Sequence, residues 1–240
     1  MEYPKIHSLW KRDMQHGKEL IANVYSKEEF ANIREWAVEE KVDGMNIRII
    51  WEWLPGMDPQ IRFGGRTKDA QLPCFLLDYL QKTFTAEKMQ ERFDLTDIEG
   101  PVVLYGEGYG PKIQSGGNYR SSVGFIIFDV RCGPWWLERE SVADVANHFG
   151  VPMVPYIGKM DQQQIIDYVK SKPMSLCSET PQIMEGVVCR TNPLTLYRDG
   201  TPILMKLKVK DFYAPSQKKE RISLENNPIV RESRTCFINT

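Results

Sequence analysis

Between Met45 and Trp53 the sequence has a period of two, with Ile47, Ile49, Trp51 and Trp53 on one side and Asn46, Arg48 and Glu52 among those on the other. A period of two fits a strand with one face in a core and excludes a helix, whose faces repeat every 3.6 residues. The same pattern returns late in the chain. Ile203-Leu-Met-Lys-Leu-Lys-Val-Lys-Asp211 puts Met205, Leu207 and Val209 on one side and Lys206, Lys208 and Lys210 on the other.

Helical patterns lie between these strands. Ser26 and Glu29 have capping-box spacing and Phe30, Ile33 and Ala37 share a face, which predicts a helix over Ser26–Val38 ending just before a Lys-Val-Asp-Gly turn. Pro73 followed by Leu76, Leu77, Leu80 and Phe84 predicts a second helix. Val142, Val145, Ala146 and Phe149 stopped by Gly150 predict a third, and Asp161 with Gln164 caps a fourth that runs to about Ser171. Short strands are expected at Val102–Tyr105, Phe125–Val130 and Met184–Cys189, and Arg198–Gly200 signals a turn. The fold class expected is α+β, with antiparallel sheets flanked by helices. With no repeat and no Gly/Ser linker, one domain is expected over residues 1–240.

No apolar run approaches the roughly 18 residues of a membrane span, and the start MEYPKIHSLWKRD lacks a signal-peptide core. An intracellular, cytoplasmic protein without a membrane partner is expected. Five cysteines without a CxxC pair and three histidines without ligand spacing argue against disulfides and zinc. Lys+Arg 31 against Asp+Glu 32 leaves a charge of -1, so any site for a polyanion must come from local clustering.

One such cluster is the row Lys206, Lys208 and Lys210, whose backbones on a strand stand about 6.6 Å apart, a spacing that suits successive phosphates. Another cation, Lys41, sits in Glu40-Lys-Val-Asp-Gly-Met-Asn46 beside a glycine that permits a sharp turn. A lysine acts as a nucleophile at neutral pH when burial or neighbouring cations make its ammonium less stable. Tyr105-Gly-Glu107-Gly and Met184-Glu185-Gly186 place carboxylates at strand ends, where they could accept from ribose hydroxyls or ligate magnesium. Taken alone, each tract reads equally well as a turn or a solvated strand edge.

In order along the chain, these tracts resemble the motifs of the covalent nucleotidyltransferases, the polynucleotide ligases and mRNA capping enzymes. Lys41-Val-Asp-Gly is similar to the nucleotidyl-lysine motif and Gly65-Arg66-Thr67 to the next. Tyr105-Gly-Glu107, Phe125-Ile-Ile-Phe128-Asp129, Glu185-Gly-Val-Val and Lys206-Leu-Lys208 follow in the family's order. Within the family the chain most resembles RNA ligases of the T4 RNA ligase 2 type, including small phage and bacterial RNA-ligase-domain proteins. Glu40, the tract YGEGYGPKIQSGGNY and Asn46, where DNA ligases usually carry arginine, support that branch.

The resemblance implies a ligase adenylation domain that joins RNA 3′-hydroxyl and 5′-phosphate ends, using ATP and Mg2+, through AMP carried on Lys41. It implies that Lys206 and Lys208 neutralise the α-phosphate, that Glu107 accepts from ribose, that Glu185 holds the metal, and that Glu40 reads the adenine amino group. Phe128 is expected to stack on adenine, since Phe125 falls on the opposite strand face by parity. Asn46, Arg48, Arg66 and Lys210 are expected at phosphates or at the polynucleotide, with Asn46 and Arg66 also at the nucleotide. Only 28 residues follow Phe212, too few for the C-terminal OB domain of DNA ligases, and 213–240 is expected to be a short extension. A DNA nick-sealing ligase and a non-catalytic nucleic-acid-binding relic are the alternatives.

Overall fold

The computed structural model describes residues 2–213 apart from 16–18, 54–55, 68, 97 and 115–118. The expected C-terminal extension lies outside the described residues from 214 onward, as does part of the Gly106–Tyr119 tract.

Two five-stranded sheets face one another. The first contains His7–Ser8 (β1), Trp36–Lys41 (β4), Tyr156–Met160 (β10), Gly186–Arg190 (β11) and Leu204–Lys208 (β12), in the order β1-β12-β11-β4-β10. The second contains Met45–Glu52 (β5), Gln60–Gly65 (β6), Val102–Tyr109 (β7), Gly124–Cys132 (β8) and Trp135–Trp136 (β9), in the order β6-β5-β7-β8-β9. Trp10–Arg12 (β2) and Leu20–Tyr25 (β3) form a separate pair. Pairing within the two large sheets is antiparallel except that β1 runs parallel to β12.

Helices Cys74–Thr83 (α1), Ala86–Arg92 (α2) and Arg139–Phe149 (α3) cover the outer face of the second sheet, burying Ile47, Ile49, Trp51, Leu104 and Phe125. Gln162–Lys170 (α4), opened by the expected Asp161/Gln164 capping box, covers the first sheet over Trp36, Val38, Val187, Met205 and Leu207. Each sheet thus has an apolar outer face beneath helices and a mixed inner face, and a cleft remains between the two. Among the described residues no helix is long and apolar enough to cross a membrane, and Cys74, Cys132, Cys177 and Cys189 are free thiols.

One element departs from the periodicity. Ser26–Val38 is not a helix: only Glu28–Asn32 makes a 3-10 turn, and Trp36 already opens β4. The Ser26 hydroxyl donates to the Ser8 carbonyl instead of capping a helix. Interior β4, hydrogen-bonded to β10 on one side and β11 on the other, is buried on both faces and shows no alternation.

Candidate active site

Strand register assembles the site. Gly186 of β11 lies opposite Lys41 of β4 on one side and Lys208 of β12 on the other. Glu185, one residue earlier, therefore reaches both lysines. Its Oε2 accepts from Lys41 Nζ at 2.7 Å and its Oε1 from Lys208 Nζ. Burial alone would raise the Glu185 carboxyl, but the Lys41 charge and the hydrogen bonds from both lysines outweigh it and hold it below the usual carboxylate range. Gly186 permits this crossing: its φ is +158°, and a Cβ there would stand 2.1 Å from the Leu207 carbonyl oxygen.

Lys206 projects from the same face of β12 as Lys208, two residues earlier. Burial, then the charges of Lys208, Lys41 and Arg66, lower its ammonium to about 8. An anion entering here relieves that repulsion. On the facing sheet, β5–β7 register sets Asn46 opposite Glu107. The Asn46 Oδ1 is buried without a hydrogen-bond partner. Glu107 is pushed up to about 8, first by burial, against the opposing pull of Lys41. At neutral pH the pocket thus offers an orphaned acceptor and a protonated carboxyl, a pair suited to hydroxyl groups.

A pocket between the sheets is lined by Lys41, Asn46, Arg66, Glu107 and Lys206, with Glu40, Phe128, Val154 and Val188 also on its walls. Phe128 reaches it by parity with Ile126, and a β-bulge brings Asp129 to the same face. Tyr105 pairs with Asp129 and Gly106 with Ile127, so Phe128 is the extra residue and both Phe128 and Asp129 serve the cleft. Phe125 packs in the outer core against Phe84, as parity predicts.

The family model described as RNA ligase matches residues 34–208, well over half of the chain. The chain belongs to the RNA ligase family. Its fold is similar to that of a Naegleria gruberi RNA ligase mutant solved with ATP and Mn, at 18% identity and a TM-score of 0.55, covering 87% of this chain and 56% of that one. Another mutant of that enzyme, with AMP and Mn, gives 17% identity and 0.53 over 86% of this chain and 61% of that one. An archaeal ATP-dependent RNA ligase gives 17% and 0.52 over 88% and 48%. The chain thus spans about half to three fifths of the length of these structures. No curated protein sequence matches it.

Two residues of this RNA ligase-family chain stand differently from expectation, and a third, Glu40, also anchors a loop. Arg48 is 6% exposed, and its guanidinium donates to the carbonyls of Gly65 at 2.7 Å and Thr67 at 3.3 Å. It holds the loop bearing Arg66 rather than facing a polynucleotide. Lys210 leaves the lysine row, because β12 ends at Lys208 and Val209–Phe212 turns into a 3-10 segment; it is exposed beside Lys172 and Tyr213. Glu40 is buried and already accepts from the Ser175 hydroxyl and, at 2.7 Å, from the Leu176 amide. A carboxylate has about four lone-pair sites, so Glu40 can anchor this loop and still present one site to the pocket.

Two features escaped sequence reasoning. Tyr3 lines the pocket, stacked edge-on to Phe128 at 4.9 Å, from a segment with no periodicity to flag it. Beneath it a charged chain joins the sheets: Tyr3 donates to Asp129, Arg190 reaches Asp129 at 2.7 Å and Glu39 at 3.1 Å, and Arg139 of α3 pairs with Glu39. Removing one member of such a buried set leaves an uncompensated charge, at a cost of about 3–5 kcal/mol. Charged residues inside apolar strands, as in Phe128-Asp129-Val130 and Val188-Cys189-Arg190, were the available signal.

Among the described residues no group of three or more His, Cys, Asp or Glu is arranged to hold a metal ion. The donor chemistry fits a hard cation carried mainly by substrate phosphates and water, with Glu185 the carboxylate at hand.

The Glu107 shift makes a stability prediction. Between pH 4.5 and 8 the folded chain holds a proton on Glu107 that the unfolded chain has released, so this group's contribution falls as pH rises. Glu107→Gln, permanently neutral, is expected to melt close to the parent at pH 5 and about 5 °C or more above it at pH 8.5. A constant difference in melting temperature across that range would contradict a proton held on Glu107.

Proposed function

We propose that this chain is an ATP-dependent RNA ligase acting through AMP bound covalently to Lys41, of the T4 RNA ligase 2 type. The observation that carries the reading is Lys41 fixed by Glu185 at the meeting of three strand ends, at the mouth of a pocket whose orphaned Asn46 oxygen and protonated Glu107 suit a ribose. Family membership supplies the reaction class.

Lys41 Nζ, once its ion pair with Glu185 opens and its proton leaves, attacks the α-phosphorus of ATP in line with the departing pyrophosphate. Lys206, Lys208 and Arg66 supply fixed positive charge to the phosphate oxygens, which is how such displacements are accelerated. Phe128 stacks on the adenine while Glu107 and Asn46 hold the ribose, which fixes the phosphorus relative to Lys41. Glu185 would hold Mg2+, which would supply positive charge to neutralise the reacting oxygens. The lysine then passes AMP to a 5′-phosphate end, and a 3′-hydroxyl displaces AMP to make the phosphodiester bond.

The experiment is intact mass after incubation with ATP and Mg2+, followed by a panel of end-joining substrates. A chain that takes up no AMP would defeat the reading and leave the non-catalytic alternative. Asn46 bears on the sugar. A carboxamide both donates to and accepts from a ribose neighbourhood, whereas arginine only donates. Replacing the terminal ribonucleotides of the 3′-hydroxyl strand with deoxyribonucleotides is therefore expected to slow joining roughly tenfold or more, with Lys41 adduct formation unchanged. Equal sealing of all-DNA nicks would favour the DNA ligase alternative.

A further inference from the structure

A second depression adjoins the nucleotide pocket and is not used by the chemistry above. Lys5 and His7 on the N-terminal segment, Lys27 at the 3-10 turn, and Tyr197 and Arg198 between β11 and β12 line it. Pro4 is a wall of both cavities, and Leu204 on the floor of the second lies two residues before Lys206 on the same face of β12.

The charges in this groove are unbalanced. Glu29 and Asp199 are its acids, and Asp199 already accepts from the Thr201 amide at 2.9 Å and the Thr201 hydroxyl at 2.6 Å. Among the described residues no carboxylate lies within ion-pairing distance of Lys5, Lys27 or Arg198. Several cations bear on one point: His7 is lowered first by burial and then by Lys27, Lys5 and Lys206. The Lys27 ammonium also stands over the Tyr197 ring, 5.8 Å from its centroid. Unpaired ammonium groups around an aromatic ring are the combination that holds a phosphodiester chain and a base together.

We propose that this groove binds the phosphodiester backbone of the polynucleotide strand whose end reacts at Lys41. The proposal rests on the ligase reading and adds to it a binding site made of residues outside the family's motifs. The Tyr197 ring beneath the Lys27 ammonium favours a strand over the pyrophosphate leaving group, because a base can stack on it and pyrophosphate cannot. Contiguity with Lys206 lets a strand lying in the groove reach the phosphates without leaving protein surface.

The test measures anisotropy of a labelled, 5′-phosphorylated single-stranded RNA with the full chain, as a function of salt, for the parent, Lys5→Ala/Lys27→Ala and Glu29→Gln. The double variant is expected to bind about tenfold more weakly at low salt and to flatten the plot of log affinity against log salt by about 1.4, for two lost contacts to a single strand. Glu29→Gln removes a repelling charge and is expected to tighten binding about twofold, a gain that misfolding cannot imitate. Adduct formation on Lys41 and its inhibition by pyrophosphate should be the same in all three. Unchanged RNA affinity and slope in the double variant overturn the proposal, and weaker pyrophosphate inhibition with unchanged RNA affinity would assign the groove to the leaving group. A parent chain that forms no Lys41 adduct counts against the ligase reading alone, because the anisotropy still judges the groove.

Discussion

Incubated with ATP and Mg2+, the chain is expected to gain one AMP on Lys41, and neither Lys41→Ala nor Lys41→Arg is expected to gain any. The arginine variant is the sharper of the two. It keeps a cation beside Glu185, so the ion pair that organises the three strand ends can persist, yet a guanidinium cannot shed its proton to attack phosphorus. Loss of the adduct in both variants separates nucleophile from counter-ion. The bond formed is a phosphoramidate, so the adduct should disappear in acid and survive alkali. An adduct at undiminished yield in Lys41→Ala would end the assignment.

Glu185 sets two effects against each other. If pairing Lys41 were its only task, Glu185→Gln would free the nucleophile and speed adduct formation. If it also holds the divalent cation near the phosphates, the substitution removes that carboxylate and leaves Lys41 and Lys208 facing each other without the anion between them. The second effect is expected to win, because charge placed at the reacting centre is commonly worth ~10²–10³-fold in rate. Adduct formation should therefore fall about a hundredfold or more, and part of the loss should be recovered by raising the Mg2+ concentration. A faster rate, or a loss indifferent to Mg2+, would confine Glu185 to the ion pair.

Much of this was legible in the sequence. Period-two runs located β5 and β12, capping chemistry and apolar spacing located α1, α3 and α4, and the order of short motifs named the family. What escaped was set by partners distant in sequence. Interior β4 gave no alternation, and nothing local marked Glu39 and Glu40 as buried groups held by Arg139, Arg190 and the Ser175 loop. Lys210 looked like a third member of a strand row because the side-chain pattern carried on past Lys208, where the backbone turns away. Phe128 was placed correctly by parity, but Asp129 shares its side of the strand only because of a bulge that no local pattern announces.

The contacts that define the cleft join residues far apart along the chain: Tyr3 with Asp129 spans 126 positions, Lys41 with Glu185 spans 144, and Glu39 with Arg190 spans 151. Such closures come late in folding, since each must overcome the entropy of a long loop. At a synthesis rate of roughly 5–20 residues per second, Lys41 leaves the ribosome on the order of ten seconds before Lys208. During that interval the nascent chain carries Lys41 without the complete set of Glu185, Lys206 and Lys208. The cleft is therefore complete only once β12 has emerged, and a message cut short just before β12 yields a product that holds Lys41 and Glu185 without Lys206 and Lys208.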